Sequence, residues 1–250
     1  MNIREMARQR PNRLAALRSM ARASRGMWRI DHEDLHLTLE GSIGYPDKAG
    51  RSITTMKVEA ALAMHPAAER LFISIDSTGG DIKPAFEIYD LLRNHGAYIA
   101  TIARGVCASA ATVLLVAGDF RSADEGTEIL IHQGAVNPEG SRRWTAGLHA
   151  VAAAQLRKTN AQLIALYTER TGRGSEVFRI EMENEHPLTL YQARKMGLIH
   201  CESGHERWHA GRAFYEEAYM RAGQRSLRAE VADAVGMMAR AGLPVPVIGL

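Results

Sequence analysis

The stretch Leu71-Phe-Ile-Ser-Ile-Asp-Ser-Thr-Gly-Gly-Asp-Ile82 changes from one structural pattern to another. Its first residues form an apolar, β-rich run that is typical of a strand, and the run stops before Gly79-Gly80. Asp81 then opens a helix whose apolar face reaches Leu92, and Gly96 closes it. The stretch therefore predicts a strand, a glycine turn and a helix in succession.

The same alternation continues on both sides of this unit. Further strands are predicted at Leu35–Leu39, Tyr98–Ala103, Phe120–Ala123 and Glu128–His132. Helices are predicted over about residues 52–64, 109–116, 142–169, 175–184 and 190–195. Gly140 and Ser141 directly precede the long helix 142–169. Arg104-Gly105 is interpreted as the turn that ends one strand and leads to the helix around Ser109. This order indicates βαβ units and a largely parallel sheet.

Composition narrows the classes of protein to consider. Apolar residues make up 46% and charged residues 24% of the 250-residue chain, which indicates a globular protein. Two cysteines in different contexts imply no disulfide framework. The longest apolar run, Ala108 to Gly118, is too short to span a bilayer, and no signal peptide is recognised. A soluble, cytoplasmic protein without a membrane partner is expected.

Positive charge is concentrated at the N-terminus. Residues 1–29 contain eight arginines and one acid, Glu5, so the remainder of the chain is net acidic although the whole carries +3. Three interpretations stay open for this arm: a solvated tail, a contact with nucleic acid or a membrane surface, and a transit peptide. The tail is favoured, and nucleic acid is not expected as a partner. Residues 205–250 are rich in arginine and alanine and are interpreted as a helical C-terminal extension.

Three features could support acyl-transfer chemistry. Ser109 stands where a buried strand meets a buried helix, Gly79-Gly80 can point N–H groups at an oxyanion, and His132 ends a strand. Each has a structural alternative: a small packing residue, an ordinary turn and a structural histidine. Together they satisfy the nucleophile, base and oxyanion roles of acyl transfer, which requires no metal or organic cofactor.

The segments that carry these features resemble a known family. Asp76-Ser-Thr-Gly-Gly-Asp-Ile82, Gly105-Val-Cys-Ala-Ser-Ala-Ala111 and Ile131-His-Gln133 are similar, in order and spacing, to the signature segments of the Clp protease proteolytic subunit. The resemblance continues through Thr171-Gly172 and through Leu188–Ile199, and it covers roughly residues 35–202. It implies an α/β, ClpP/crotonase-like fold of repeated ββα and βαβ units with a long protruding helix. The predicted division is an arm (1–29), a peptidase domain (30–204) and the extension (205–250).

The resemblance also implies roles for individual residues. Ser109 matches the nucleophile, His132 the base, and the backbone N–H groups of Gly80 and Ala110 the oxyanion hole. The family's aspartate falls on Glu185, with Glu183 and Glu181 as other candidates. A solvated acidic patch is the structural alternative for these three glutamates.

The family likeness extends to assembly and substrate. It implies a homo-oligomeric ring, a heptamer or a tetradecamer, that encloses its sites and cleaves peptides or unfolded proteins, with an AAA+ unfoldase as a candidate partner. The sequence departs from the family pattern at three positions. Thr78 replaces a proline, Ser74 an aromatic residue that helps to dock the ATPase, and Asn184 an arginine used between rings.

Other functions remain open at this point. A crotonase-type enzyme acting on acyl-coenzyme A would share the glycine-rich oxyanion logic without needing the serine and histidine. A Ser–Lys peptidase would use Lys158 or Lys195 as the base. A non-catalytic ring or assembly subunit would keep the fold without the chemistry.

Overall fold

The computed structural model of the chain describes residues 27–31, 34–136 and 143–202. Most of the arginine-rich arm and the predicted extension 205–250 lie outside these residues, as do Gly140 and Ser141. The division at residues 29/30 and 204/205 therefore stays a prediction.

The described ranges contain nine strands and six helices. The strands are β1 (Trp28–Asp31), β2 (Asp34–Glu40), β3 (Ser42–Ile43), β4 (Ser52–Ile53), β5 (Arg70–Ser77), β6 (Tyr98–Ala108), β7 (Phe120–Ala123), β8 (Glu128–Leu130) and β9 (Cys201–Glu202). The helices are α1 (Thr55–Met64), α2 (Ile82–Arg93), α3 (Ala111–Leu115), α4 (Ala146–Thr171), α5 (Ser175–Asn184) and α6 (Leu190–Lys195).

Seven of the strands form one sheet in the order β1-β2-β5-β6-β7-β9, with β8 also paired to β6. All of these pairs are parallel except β1 with β2. The predicted α/β class with a largely parallel sheet is therefore confirmed. The remaining strands, β3 and β4, make a small parallel pair of their own.

The sheet has one face in the core and one that is partly open. Odd-numbered residues of β2 and β5, such as Leu37 and Ile73, are buried, whereas the even-numbered ones are half-buried or, at Glu40, exposed. The buried face belongs to a hydrophobic cluster that includes side chains of α1, α2 and α3. Period-two alternation in the sequence therefore corresponds to a sheet that is covered mainly on one side.

The predicted turn at Arg104-Gly105 is wrong. Strand β6 continues through these residues to Ala108, with an irregularity in its register against β5 between Ile75 and Ser77. Gly105 has a φ of 55°, and the Val106 N–H donates to the Asp76 carboxylate over 3.2 Å. This bulge lets the chain bend without ending the strand, which turn-forming residues alone do not reveal.

The predicted ends of two other elements also change. Ser52 and Ile53 belong to β4, and α1 begins at Thr55, because the Thr54 hydroxyl accepts the Lys57 N–H and caps the helix. Strand β8 ends at Leu130 rather than at His132, because its partner β6 ends at Ala108. His132 therefore lies two residues beyond the strand.

The long helix α4 begins at Ala146 rather than near residue 142. The Thr145 hydroxyl accepts the Leu148 N–H at its start, and Gly172 ends it with a left-handed φ of 67°. Buried side chains occur from Thr159 onward, whereas the part before Thr159 is exposed or half-exposed throughout. The first half of α4 therefore projects from the body, as predicted. None of the helices described in this structure is long and apolar enough to cross a membrane.

A buried polar cluster joins the end of the domain to β7. The Arg121 guanidinium donates to the backbone carbonyls of Gly118, Arg170, Gly197 and Leu198. His200 is 4% exposed, and its Nδ1 accepts the Arg121 N–H over 3.1 Å. Burial, together with the positive charges of Arg121 and Arg170, lowers the pKa of His200 well below its ordinary value. The imidazole is therefore neutral in the folded protein.

We expect the free energy of unfolding to fall as the pH drops through about 6.5, the ordinary pKa of histidine. Below that pH the unfolded chain binds a proton at His200 that the folded chain excludes, whereas above it His200 contributes no pH dependence. In His200→Asn the slope should be smaller by up to about 1.4 kcal/mol per pH unit between about pH 6 and pH 5. Urea unfolding followed by circular dichroism measures both slopes.

The exposed His149 provides the matched control. His149→Asn should keep the slope of the wild type, because this side chain is exposed on the projecting half of α4. Equal slopes in the wild type and His200→Asn would contradict this role of the buried imidazole.

Candidate active site

Ser109 lies in the turn between β6 and α3 and not within the helix. Its φ is 56°, a left-handed conformation that costs a residue with a side chain about 1–2 kcal/mol. Its N–H donates to the Leu130 carbonyl over 2.8 Å, and its carbonyl accepts the Thr112 N–H over 3.0 Å. These bonds hold a strained turn at the carboxyl end of a parallel strand, where α/β proteins place their sites.

Among the described residues, two that are not glycine adopt a positive φ: Ser109 and Glu185. They are the predicted nucleophile and the predicted triad acid. Strained backbone of this kind clusters at functional sites, because the surrounding structure must hold it against its preference. Neither strain is visible in the sequence, since Ser109 is not flanked by the glycines of a nucleophile elbow.

Gly79 packs directly on the serine turn. A Cβ added to Gly79 would lie 2.7 Å from the Ser109 Cβ, 2.7 Å from the Ala108 carbonyl oxygen and 3.0 Å from the Ala110 nitrogen. The loop is fixed from its other side, because the Gly79 carbonyl accepts the Ile43 N–H over 2.8 Å. The structure therefore brings the two predicted segments, Gly79-Gly80 and Ser109-Ala110, into contact.

The two N–H groups predicted for the oxyanion hole are available. Within the described part of the chain, the backbone N–H groups of Gly80 and Ala110 donate to no protein acceptor. Unpaired donors are unusual in a folded protein, and a pair of them beside a serine is what an oxyanion requires. Gly80 has no room for a side chain, since an added Cβ would lie 2.3 Å from the Ile43 carbonyl oxygen.

His132 lies at the same end of the sheet as Ser109. Ala108 and Leu130 are partners in the β6–β8 pair, so the chain reaches His132 two residues past the carbonyl that holds the Ser109 N–H. The imidazole is half-buried. Between the described residues, no hydrogen bond joins it to the Ser109 hydroxyl or to a carboxylate. Such bonds are often long or poorly aligned in free enzymes.

The acidic segment passes beside His132. The Gln133 N–H donates to the Met182 carbonyl over 3.1 Å, and the Leu188 N–H donates to the Ile129 carbonyl over 2.7 Å. Residues 182–188 are thus attached to the chain on both sides of His132. Glu185 ends α5 within this segment, with an exposed side chain. The role of Glu185 as the triad acid stays a prediction.

The other two glutamates differ in their surroundings. Glu183 pairs with Arg179 over 2.8 Å, an arginine that also holds Glu176, so Glu183 belongs to an ion-pair cluster on the exposed side of α5. Glu181 is half-buried in the last turn of the same helix. Glu185, in the segment that flanks His132, therefore stays the first candidate for the triad acid, and Glu181 is the second.

Cys107 stands two residues before Ser109 but does not offer a second nucleophile. It is fully buried in β6, and burial together with the charge of Asp76 raises the pKa of its thiol. The thiol is therefore protonated at neutral pH. The part of the chain that the structure describes contains no group of three or more histidine, cysteine or acidic side chains arranged to hold a metal ion.

A cavity of about 330 Å³ opens away from the serine, on the partly open face of the sheet. Ser74 lines it together with His36, Phe72, Ile102 and Arg104. The cavity around Ser74, where the family resemblance places a contact with the ATPase, is therefore lined by both polar and apolar side chains.

Two residues beside the serine turn, Thr112 and Tyr167, were not predicted from the sequence. The Thr112 hydroxyl donates to the Ser109 carbonyl over 2.6 Å and lies 2.7 Å from the Tyr167 hydroxyl. The signal available in the sequence was a threonine within the apolar run Ala108 to Gly118. Tyr167 gave no signal, because a tyrosine on the apolar face of a long helix is ordinary core.

A comparison with known families reports a match for this chain. The family model described as Clp protease matches residues 38–201, which is more than half of the chain. The matched range begins in β2 and ends in β9, so it includes the serine turn, the glycine pair, His132 and the acidic segment.

We expect Gly79→Ala to destabilise the protein more than Gly96→Ala does. Both glycines have a similar φ, 95° and 84°, but an added Cβ at Gly96 meets nothing within 4 Å. Both variants should lose about 1–2 kcal/mol of unfolding free energy from the left-handed backbone. Gly79→Ala should lose about 1–3 kcal/mol more from overlap with Ser109. Denaturant unfolding measures the difference, and equal losses would show that the two segments do not pack as described.

Proposed function

Because this chain belongs to the Clp protease family, we propose that it is a serine endopeptidase that cleaves unfolded proteins or peptides through an acyl-enzyme on Ser109. Family membership supports a Clp-type peptidase in general terms. The observation that carries the finer proposal is the contact between Gly79 and the strained Ser109 turn. Beside this contact, the Gly80 and Ala110 N–H groups have no acceptor among the described residues.

The proposed mechanism follows from these positions. His132 takes the proton of the Ser109 hydroxyl as the oxygen attacks the peptide carbonyl carbon. The carbonyl oxygen becomes an oxyanion that accepts hydrogen bonds from Gly80 and Ala110. His132 then gives its proton to the leaving amine, and water activated by the same imidazole hydrolyses the ester on Ser109. Glu185 is proposed to orient the imidazole and to stabilise its charged form.

The serine position and the oxyanion donors support one another physically. A left-handed Ser109 is a strain that folding alone does not require, whereas an attacking hydroxyl must be held within a few tenths of an ångström of its productive position. Preorganised N–H groups typically contribute about 3–4 kcal/mol of transition-state stabilisation each. The site therefore combines positioning with electrostatic stabilisation and uses no cofactor.

The rival enzymes use different parts of this site. A crotonase-type enzyme would use the two N–H groups without Ser109 or His132, and it would not account for the strain at the serine. A Ser–Lys peptidase would need a lysine at Ser109. Lys158 is exposed on α4, and the exposed Lys195 lies over the Tyr191 ring at 5.5 Å. Within the described residues, neither lysine makes a hydrogen bond to the serine.

Assembly and partners form the next part of the proposal. The family generally forms oligomeric rings and works with AAA+ unfoldases. We propose that this chain forms such a homo-oligomeric ring in the cytoplasm, with the projecting half of α4 as a contact between copies. That half carries Val151, whose side chain is 68% exposed. An unfoldase would meet Ser74 in the partly polar cavity rather than an aromatic side chain.

A fluorophosphonate probe tests the chemistry directly, because it labels only an activated serine. We expect the wild type to be labelled, Ser109→Ala to lose labelling completely and His132→Ala to lose at least about a hundred-fold in rate, the usual contribution of a general base. Cys107→Ala should keep the wild-type rate, because the thiol is buried and protonated. Mass spectrometry of the labelled peptide identifies the modified residue.

The same assay separates the glutamates and the rival functions. Glu185→Gln should lower the labelling rate more than Glu183→Gln, whose side chain is held by Arg179. Labelling that survives in His132→Ala but not in Lys158→Ala or Lys195→Ala would indicate a Ser–Lys peptidase. An unlabelled wild type that is folded and assembled would favour the non-catalytic subunit.

We expect Val151→Glu to weaken the assembly. A charge placed at a buried contact is unfavourable, so the variant should shift toward smaller species while its secondary structure is unchanged. Multi-angle light scattering gives the molar mass of each species. The matched control is Lys83→Glu, a change of charge at an exposed position on α2, outside the projecting half of α4. A monomer mass for the wild type would contradict the ring.

A further inference from the structure

Two buried hydroxyl groups connect the long helix to the serine turn. The Thr112 hydroxyl on α3 lies 2.6 Å from the Ser109 carbonyl oxygen, and the Tyr167 hydroxyl on α4 lies 2.7 Å from the Thr112 oxygen. Thr112 is fully buried and Tyr167 is 2% exposed. The chemistry assigned to the site does not use either group.

The direction of these hydrogen bonds follows from the number of protons. The Ser109 carbonyl can only accept, so the single hydroxyl proton of Thr112 must point to it. The Thr112 oxygen then accepts from Tyr167, whose proton remains available because burial raises the pKa of the phenol. The chain of donors therefore runs from Tyr167 through Thr112 to Ser109.

This series of hydrogen bonds ends on Ser109, the residue whose backbone is strained. The Ser109 carbonyl also accepts the Thr112 N–H over 3.0 Å, so one threonine holds it with two donors. The Ser109 N–H is held separately by Leu130 over 2.8 Å. The peptide groups on both sides of the left-handed Ser109 are thus fixed, and the carbonyl side depends on Tyr167 to orient the threonine hydroxyl.

We propose that Thr112 and Tyr167 are positioning residues that hold Ser109 in its reactive conformation. The inference deepens the proposed peptidase function and rests on it for its catalytic part. Its structural part, that the pair stabilises the serine turn, stands separately and has a readout of its own. Neither residue touches the substrate, so their effect on chemistry passes through Ser109.

A purely structural role is the competing interpretation. The Tyr167 ring packs against Phe178 with centroids 5.4 Å apart and belongs to the hydrophobic cluster. The test must therefore remove the hydroxyl groups and keep the packing. Tyr167→Phe and Thr112→Val do this, and Thr112→Ser restores the hydroxyl in a smaller side chain.

Two matched controls are available in the same core. Thr101 is a buried threonine whose hydroxyl donates to the Leu115 carbonyl over 2.8 Å, at the far end of α3. Tyr98 is a buried tyrosine at the opposite end of β6 from Ser109. Thr101→Val and Tyr98→Phe thus remove comparable groups that do not lead to the serine.

The first measurement is the rate of fluorophosphonate labelling of the full-length, assembled protein. We expect a loss of about ten-fold in Thr112→Val and about three-fold in Tyr167→Phe, because one net hydrogen bond corresponds to such factors. Thr112→Ser should recover most of the rate, and the two controls should match the wild type. With a fluorogenic peptide, the loss should appear in kcat with KM unchanged.

The second measurement is hydrogen–deuterium exchange of the Ser109–Thr112 amides, which does not depend on activity. Exchange should be faster in Thr112→Val and Tyr167→Phe than in the wild type or the controls. Unchanged exchange in both variants would overturn the inference whatever the labelling shows. Faster exchange with an unchanged labelling rate would overturn its catalytic part. Faster exchange in a chain whose wild type is not labelled would support the positioning and contradict the peptidase.

Discussion

Strand β6 carries the constraint on which the rest of the structure depends, because it pairs with different neighbours along its length. Its first part lies between β5 and β7, and its last residues, Val106 to Ala108, pair with β8 instead. The change of partner occurs at the bulge, where Gly105 has a φ of 55° and an added Cβ would lie 2.9 Å from the Asp76 carboxylate. That carboxylate accepts the Val106 N–H over 3.2 Å. A glycine at this position therefore allows β6 to bend, so that its first part pairs with β7 and its last residues pair with β8.

The position of the candidate site follows from this change of pairing partner along β6. Extending β6 places Ser109 beside the loop after β5, and pairing with β8 brings the segment of His132 to the same end of the sheet. The proposed oxyanion donors and the groups that bond to the Leu130 carbonyl and the Thr112 N–H are backbone groups, which the strands and turns fix. A site built in this way needs little reorganisation during a reaction, which is the main source of electrostatic catalysis. The proposed role of Glu185, in the acidic segment 182–188, depends most on where its side chain is placed.

Buried polar groups fix the elements around the candidate site relative to one another. Arg121 donates to four backbone carbonyls where β7, α4 and the chain before β9 meet. Thr112 and Tyr167 connect α4 to the serine turn through two short hydrogen bonds. Arg121, Thr112 and Tyr167 all have hydrogen-bond partners, and each bond fixes one element relative to another. The half of α4 that packs on the body is thus attached both to the end of the sheet and to the turn that carries Ser109.

The sequence by itself determined the α/β class, the order of most elements and the segments that resemble the Clp protease family, because these depend on local patterns. Alternation in Leu35–Leu39 and the change at Gly79-Gly80 are readable from neighbouring residues alone. The tertiary structure decided the rest. Whether Gly105 ends a strand or bends it depends on Asp76, which belongs to another strand. The left-handed Ser109 depends on bonds to Leu130 and Thr112, and the role of Tyr167 depends on α4 reaching α3. Apart from the bond between Ser109 and Thr112, these are contacts between residues far apart in the chain, and no local pattern contains their distances.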